Sequence, residues 1–302
     1  MAASDDAAEA LSLQELDALI AGEDTLLATV TTSSLIDATA LAVFLSLAML
    51  SFFRKNTRLK QATMLIAIAY LGFTRGNLVS IVHLFSVIEW SFPKFESALA
   101  WYLLMVFTLV STILWGRVYC GRICAFGALT QLMDRVLPSR LRFELPARLD
   151  ARLVYLKYGI LAATLVYFLL TRDKQIYRYV EPFWLFTFNG TTVTWTLLAI
   201  LLLLTVFVRN FYCRYLCSVG AALGLLSKLA VFRIKRWNLC GSCKLCERIC
   251  EWNAIKDTTI SVTECVRCDD CEILYNDKSR CAHWLLEDKG RRRRQIPIEV
   301  ER

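Results

Sequence analysis

The sequence predicts an all-α polytopic membrane bundle of about five transmembrane helices, followed by a small α+β domain near its C-terminus. Three observations predict this. Of 302 residues, 56% are hydrophobic and the mean hydropathy is +0.45, too apolar for an ordinary soluble domain. Charged residues still reach 21%, so charge and apolar runs are segregated along the chain. Twelve cysteines stand against two histidines, and eight of the twelve fall between 240 and 281. That ratio excludes a His-rich zinc enzyme. The apolar content excludes a collagenous or disordered chain.

Residues 1–33 form an acidic N-terminal tail with seven acids and no Lys or Arg. No basic segment precedes an apolar one, against a cleavable signal peptide. Ser12-Leu-Gln-Glu15 fits a capping box, and a solvated tail fits as well. Residues 34–232 form the transmembrane domain. Its first apolar run, 35–53, ends at Arg54, Lys55, Arg58 and Lys60. Residues 61–88 read as one span broken near Gly76, or as a span leading into an interfacial helix. Further spans are expected at 98–116, 153–170 and 191–208. The connection 171–190 is weakly charged and aromatic, as at a membrane interface.

The net charge of +8 gathers beside the apolar runs, where Lys and Arg set orientation. The segments 54–60, 117–152 and all after 209 are then cytoplasmic, and an odd span count places the N-terminus outside. Were 218–231 a sixth span, the basic, cysteine-rich end would lie outside, against the charge rule. Arg75 in an apolar stretch is either functional or snorkels to the interface. Asp37 reads as interfacial, His83 as a haem or quinone contact or a packing residue, and His283 as surface.

An internal repeat carries four cysteines. Tyr119-Cys120-x3-Cys124-x2-Gly127-Ala128 follows the third span, and Tyr212-Cys213-x3-Cys217-x2-Gly220-Ala221 follows the fifth. Two spans separate the copies, so both face one side. On a helix, positions i and i+4 share a face, so each pair can present two thiolates together. Buried Cys and small residues also simply pack helices. Otherwise Cys120, Cys124, Cys213 and Cys217 form a metal or cluster site, a redox thiol pair or a copper site.

Residues 233–285 carry the strongest signal. Cys240-x2-Cys243-x2-Cys246-x3-Cys250 is the ligand run of a bacterial-type ferredoxin with two [4Fe–4S] clusters. A second run, Cys265-x2-Cys268-x2-Cys271, has its fourth cysteine delayed to Cys281. The expected sets are Cys240, Cys243, Cys246 and Cys281 for one cluster, and Cys265, Cys268, Cys271 and Cys250 for the other. Ile255 and Ile260 flank a turn, as in a small ferredoxin ββ element. The customary Pro after each fourth cysteine is Glu251 and Ala282 here. Zinc is poorly matched to two triple C-x2-C-x2-C runs, and disulfides to a reducing cytoplasm. Residues 286–302 are a basic tail whose Arg291–Arg294 reads as a topology or anionic-lipid patch. It lacks the aromatic residues that nucleic-acid binding would need.

Together these motifs resemble the NosR/NirI-type membrane 4Fe–4S proteins, over about residues 35–285. The resemblance rests on the twin Y-C-x3-C-x2-G-A segments, on Glu181-Pro182-Phe183, and on Tyr275-Asn-Asp277-x3-Cys281, where the family has the same delayed cysteine. NapH-type and CcoG-type proteins share this layout. In the family each membrane pair reads C-x3-C-P; here Ala125 and Ser218 replace the Pro, so a weaker kink is expected. The family's periplasmic FMN domain has no counterpart here, so FMN is not expected on this chain and a separate flavoprotein is a candidate partner.

The resemblance implies electron transfer between quinol or a cytoplasmic donor and a periplasmic respiratory system for nitrous oxide or nitrite. Such a chain is an electron-transfer component, or a quinol-oxidising subunit, of a prokaryotic cytoplasmic membrane. Two other readings stay open. One is copper handling or reduction for maturation of a respiratory copper enzyme, with the paired thiols as soft ligands. The other is a redox-sensing regulatory membrane protein.

Overall fold

The computed structural model describes residues 32–285 except 77, 96–97, 144, 236–242, 257–258 and 282. Residues 1–31 of the acidic tail, Cys240 and the basic tail lie outside the described residues. The first apolar run forms α1 (Thr32–Arg54), ended by the left-handed Lys55. Asn56 then caps α2 (Thr57–Ile66), its side chain accepting from the Arg58 N–H at 2.9 Å. α2 runs on as a π-helix, Ala67–Thr74. The chain breaks at Gly76, where φ is +61°, and resumes as α3 (Ile81–Ile88). The break expected near Gly76 is therefore present. Arg75 pairs with Asp37 across this end of the bundle. His83 completes a capping box at Ser80 and stacks on Trp101 at 5.0 Å, a packing role.

α4 (Leu99–Trp115) leads through Gly116 into the short α5 (Val118–Arg122), and then α6 (Ala125–Val136). α7 (Ala147–Leu153) and α8 (Leu156–Thr171) run nearly end to end. After the short α9 (Tyr177–Val180), α10 (Thr192–Phe207) leads through a π turn, Tyr212–Leu216, into α11 (Ser218–Leu226). The two halves repeat one plan of a long apolar helix, a tight turn and a second helix. α11 packs on α8, and α6 packs on the π segment of α2.

α1 and the continuous run Arg148–Thr171 have the length and apolarity to cross a membrane, at 23 and 24 residues. α4 and α10 are apolar but have only 17 and 16 residues. A positive φ at Gly116 ends the first, and an extended Val208 ends the second. Each stops where its cysteine turn begins.

The connection 171–190 differs from the interfacial segment expected. Its inner part packs inside the bundle, with Glu181 fully buried and Trp184 and Phe186 nearly so. Glu181 explains the inward turn. Its carboxylate accepts from the Ser80 hydroxyl at 2.5 Å, the Ile81 N–H at 2.9 Å and the Ser218 hydroxyl at 2.8 Å. One buried acid thus ties together α3, α11 and the connection between α9 and α10, its carboxyl oxygens met by hydrogen-bond donors.

The C-terminal domain holds α12 (Leu245–Ile249), a two-stranded antiparallel sheet and α13 (Asp270–Asn276). β1 (Ile255–Lys256) and β2 (Thr259–Ile260) pair in the register Ile255 to Ile260, as the hydrophobic pair predicts. The domain docks on the end of the bundle through residues 250–272. Lys60 donates to the Cys268 carbonyl at 2.8 Å and pairs with Asp270 at 3.1 Å. Lys157 pairs with Glu264 at 2.6 Å, and Lys55 with Glu272 at 2.8 Å. Arg122 pairs with Asp269 and donates to Ser51 Oγ at 2.7 Å. A methyl group on Gly121 would strike the Val266 carbonyl oxygen, so the two backbones touch. The basic residues read as orientation signals therefore also hold the C-terminal domain.

Candidate metal centres at the domain junction

The cysteine pairs do not lie on continuous helices, contrary to the i, i+4 expectation. Cys120 sits in α5 and Cys213 in the π turn, whereas Cys124 and Cys217 have extended backbone (ψ 115° and 111°) and cap the next helix. Ala125 and Ser218, at the family's Pro positions, are the first residues of those helices. Proline is favoured at that position because its missing N–H is not needed there. The kink expected to weaken without Pro is fully formed, since the turn and not the ring makes it.

The other motif residues have definite tasks. The Tyr119 hydroxyl accepts from the Val79 N–H at 2.8 Å, and the Tyr212 hydroxyl donates to the Val180 carbonyl at 3.1 Å. Each motif tyrosine thus clips an inward-turning connection to its own cysteine turn. A Cβ on Gly127 would lie 2.8 Å from the Cys120 carbonyl oxygen, and one on Gly220 2.8 Å from Arg117 Nη2. Cys217 Sγ accepts from the Gly220 N–H at 3.1 Å.

All four repeat cysteines line one cleft of about 330 Å³, open space included. Arg117 and Trp252 line it too. Arg117 is buried; its Nη1 donates to the Thr263 carbonyl at 2.8 Å and its Nη2 lies 3.9 Å from Cys120 Sγ. Trp252 comes from the C-terminal domain, two residues after Cys250. One buried core runs from the repeat cysteines through Trp252 and Val266 to Cys268, with Cys250 and Cys265 packed against it. Among the described residues, no three His, Cys, Asp or Glu side chains converge closely enough for a single metal ion.

In the C-terminal domain, Cys265 and Cys268 lie on a loop in which Arg267 and Asp269 are left-handed (φ 56° and 67°), and Cys271 follows in the first turn of α13. That curvature keeps the three cysteines within one short stretch of chain. Burial pushes the Cys271 thiol up to about 12, and the neighbouring Cys265 and Cys250 add to the shift. Cys265 and Cys268 are also raised, by burial first, with Cys250 adding in each case. Cys250 thus neighbours the second run, and its Sγ accepts from the Ala254 N–H at 3.4 Å. A buried thiol that resists ionising becomes a ligand only when a metal replaces its proton. This donor set fits a thiolate-bound cluster. Cys243, Cys246 and Cys281 are half-buried, and their expected partner Cys240 lies outside the described residues.

Residues 97–144 and 190–236, which hold the two cysteine repeats, match the 4Fe-4S binding domain family. Residues 238–292 match the NosR family. Fold and cysteine pattern therefore define an iron–sulfur protein with a helical bundle and a ferredoxin-type end. The chain is 34% identical over 268 residues to the Regulatory protein NosR of Pseudomonas aeruginosa, covering 82% of this chain and 37% of that protein. It is 40% identical over 82 residues to a shorter Pseudomonas aeruginosa protein of the same name, covering 26% of this chain and 82% of that one. Protein NirI of Paracoccus denitrificans is 34% identical over 180 residues, 56% of this chain and 26% of that protein. The chain belongs to the NosR/NirI-type iron–sulfur family, and it spans 37% of the first of these relatives and 26% of NirI. No solved structure matches it.

Sequence reasoning missed Arg117, Trp252 and Glu181 as members of this junction. Arg117 read as an orientation charge, and Glu181 only as part of a family tripeptide. Nothing in the sequence marks Trp252.

Proposed function

We propose that the chain is an electron-transfer protein of a prokaryotic cytoplasmic membrane, with about five spans, its N-terminus outside and its ferredoxin domain cytoplasmic. In this reading Cys265, Cys268, Cys271 and Cys250 hold one [4Fe–4S] cluster, and Cys240, Cys243, Cys246 and Cys281 hold a second. Cys120, Cys124, Cys213 and Cys217 hold a further iron–sulfur centre at the membrane edge. Bound there, such clusters supply one-electron transfer at potentials the protein tunes. The chain's own residues orient the ligands, exclude water from the four-cysteine cleft and hold the two domains in fixed register. The carrying observation is that the repeat cysteines and Trp252, next to Cys250, line one cleft. The match of both repeats to a 4Fe-4S binding family supports the same reading.

The expected donor is quinol or a cytoplasmic reductant. The expected acceptor is a periplasmic respiratory system of the nitrous oxide or nitrite type, reached directly or through a separate flavoprotein. Iron and acid-labile sulfide per chain, after anaerobic purification, test the cofactor content. About twelve irons are expected, or about ten if the membrane centre is a smaller cluster. About eight would leave the repeat cysteines without a cluster, and near-zero iron with bound zinc would overturn the whole reading.

Copper handling is the second reading, favoured by four soft thiols in one cleft. Copper bound per chain, and lost in Cys124→Ser or Cys217→Ser, would establish it over electron transfer.

A further inference from the structure

Two residues that line the four-cysteine cleft each carry a buried nitrogen donor with no partner among the described residues. Trp252 is 3% exposed and Arg117 1% exposed. Among the described residues, the Trp252 indole Nε1 and the Arg117 Nε have no hydrogen-bond partner, and both residues line the cleft. Buried donors left unpaired are rare in folded proteins because desolvating them is costly. Two in one thiol-lined cleft require an occupant that accepts hydrogen bonds. The arginine adds a permanent positive charge, answered among the described residues only by Glu264 and the cleft cysteines, which favours an anionic occupant.

We infer that the four-cysteine centre is completed by two donors outside its ligand set: the Trp252 indole N–H, lent by the C-terminal domain, and the Arg117 guanidinium. The inference rests on the reading that the four cysteines hold an iron–sulfur centre. A cluster bound by thiolates is anionic, and its bridging sulfides accept hydrogen bonds. A copper ion brings no acceptor atom of its own. Arg117 is anchored for the task, since Nη1 is held by the Thr263 carbonyl at 2.8 Å and Nη2 lies by Cys120 Sγ at 3.9 Å. Trp252 and Thr263 both belong to the docked domain. The membrane centre is therefore a site built by two domains, with a potential set across the junction. Hydrogen bonds and positive charge stabilise the more negative reduced state, so these residues raise that potential.

The test is a redox titration of the full chain in detergent, followed by electron paramagnetic resonance, with iron counted in parallel. Trp252→Phe keeps the ring and removes only the N–H. It should retain wild-type iron and move one midpoint to a more negative value, leaving the other two in place. Arg117→Gln should move the same midpoint further, and Arg117→Lys should restore part of the shift. If Arg117→Gln does not fold, the Phe variant decides alone. Three centres with every midpoint unmoved in Trp252→Phe would overturn the inference and spare the reading beneath it. A wild-type chain with only two centres would overturn both.

Discussion

At the residue scale, the repeat motif is a set of contacts that leave little room for change. Gly127 faces the Cys120 carbonyl and Gly220 the Arg117 guanidinium, each with a would-be Cβ contact of 2.8 Å. Gly127→Ala should cost about 1–3 kcal/mol through overpacking against backbone that cannot yield. A lowered Tm in detergent, with iron lost from the membrane centre before the ferredoxin domain, is the expected result. Asp269 is a second sensitive position. It is buried and meets both Arg122 and Lys55. Asp269→Asn strands a buried guanidinium and should cost about 3–5 kcal/mol. The double variant Arg122→Met with Asp269→Asn should cost less, because no unpaired charge remains buried and Asn tolerates the left-handed backbone there. A thermal-unfolding cycle over the wild type, the two single variants Arg122→Met and Asp269→Asn, and the double variant measures the difference.

At the element scale, the cysteine turn is a helix break with a fixed plan. The first cysteine sits within a short helical piece, the second caps the next helix, and the following residue begins it. Ala125→Pro should therefore be tolerated, changing stability by no more than about 1 kcal/mol, because the first helical position needs no N–H. Ser218→Pro is formally the same change and should behave differently. Its hydroxyl is one of three donors to the buried Glu181 carboxylate. Losing it should cost about 1.5–3 kcal/mol. Matched unfolding curves of the two variants check this, and equal effects would show that Glu181 is not the clamp described.

At the scale of the whole molecule, basic residues serve two purposes. Arg54 and Arg58 stay exposed, whereas Lys60, Arg117, Arg122 and Lys157 are buried at the docked domain. Exposed ion pairs weaken with salt, and buried ones are screened much less. The C-terminal domain should therefore stay docked at about 1 M salt. Limited proteolysis that gives one fragment pattern at low and high salt is the expected outcome, and release of the domain at high salt would sink it. The same charges orient the proposed spans. A periplasmic-only reporter fused to the N-terminal tail should be active, and the same reporter on the C-terminal tail silent.

The ferredoxin-type end was legible because its ligands are close in sequence. Three cysteines within seven residues, 265–271, stay near one another whatever the rest of the chain does. The ββ pair was legible from Ile255 and Ile260 for the same reason of short range. The repeat was legible as a pattern, and its likeness in two places suggested a common site. Its geometry was not, because i, i+4 spacing reads as one helix while the chain in fact breaks at Cys124 and Cys217. That break depends on remote groups: Val79 on Tyr119, Val180 on Tyr212, and Glu181 on Ser218. Local motif spacing and apolar run length thus pointed to the class of protein, and the resemblance carried by its motifs pointed to the family it belongs to. Only the tertiary structure decided that both repeats line one cleft, that buried lysines and arginines dock the second domain, and that Trp252 lines that cleft. Those facts arise from contacts between residues 30 to more than 200 positions apart, such as Lys60 with Cys268, which hydrophobic period and motif spacing do not encode.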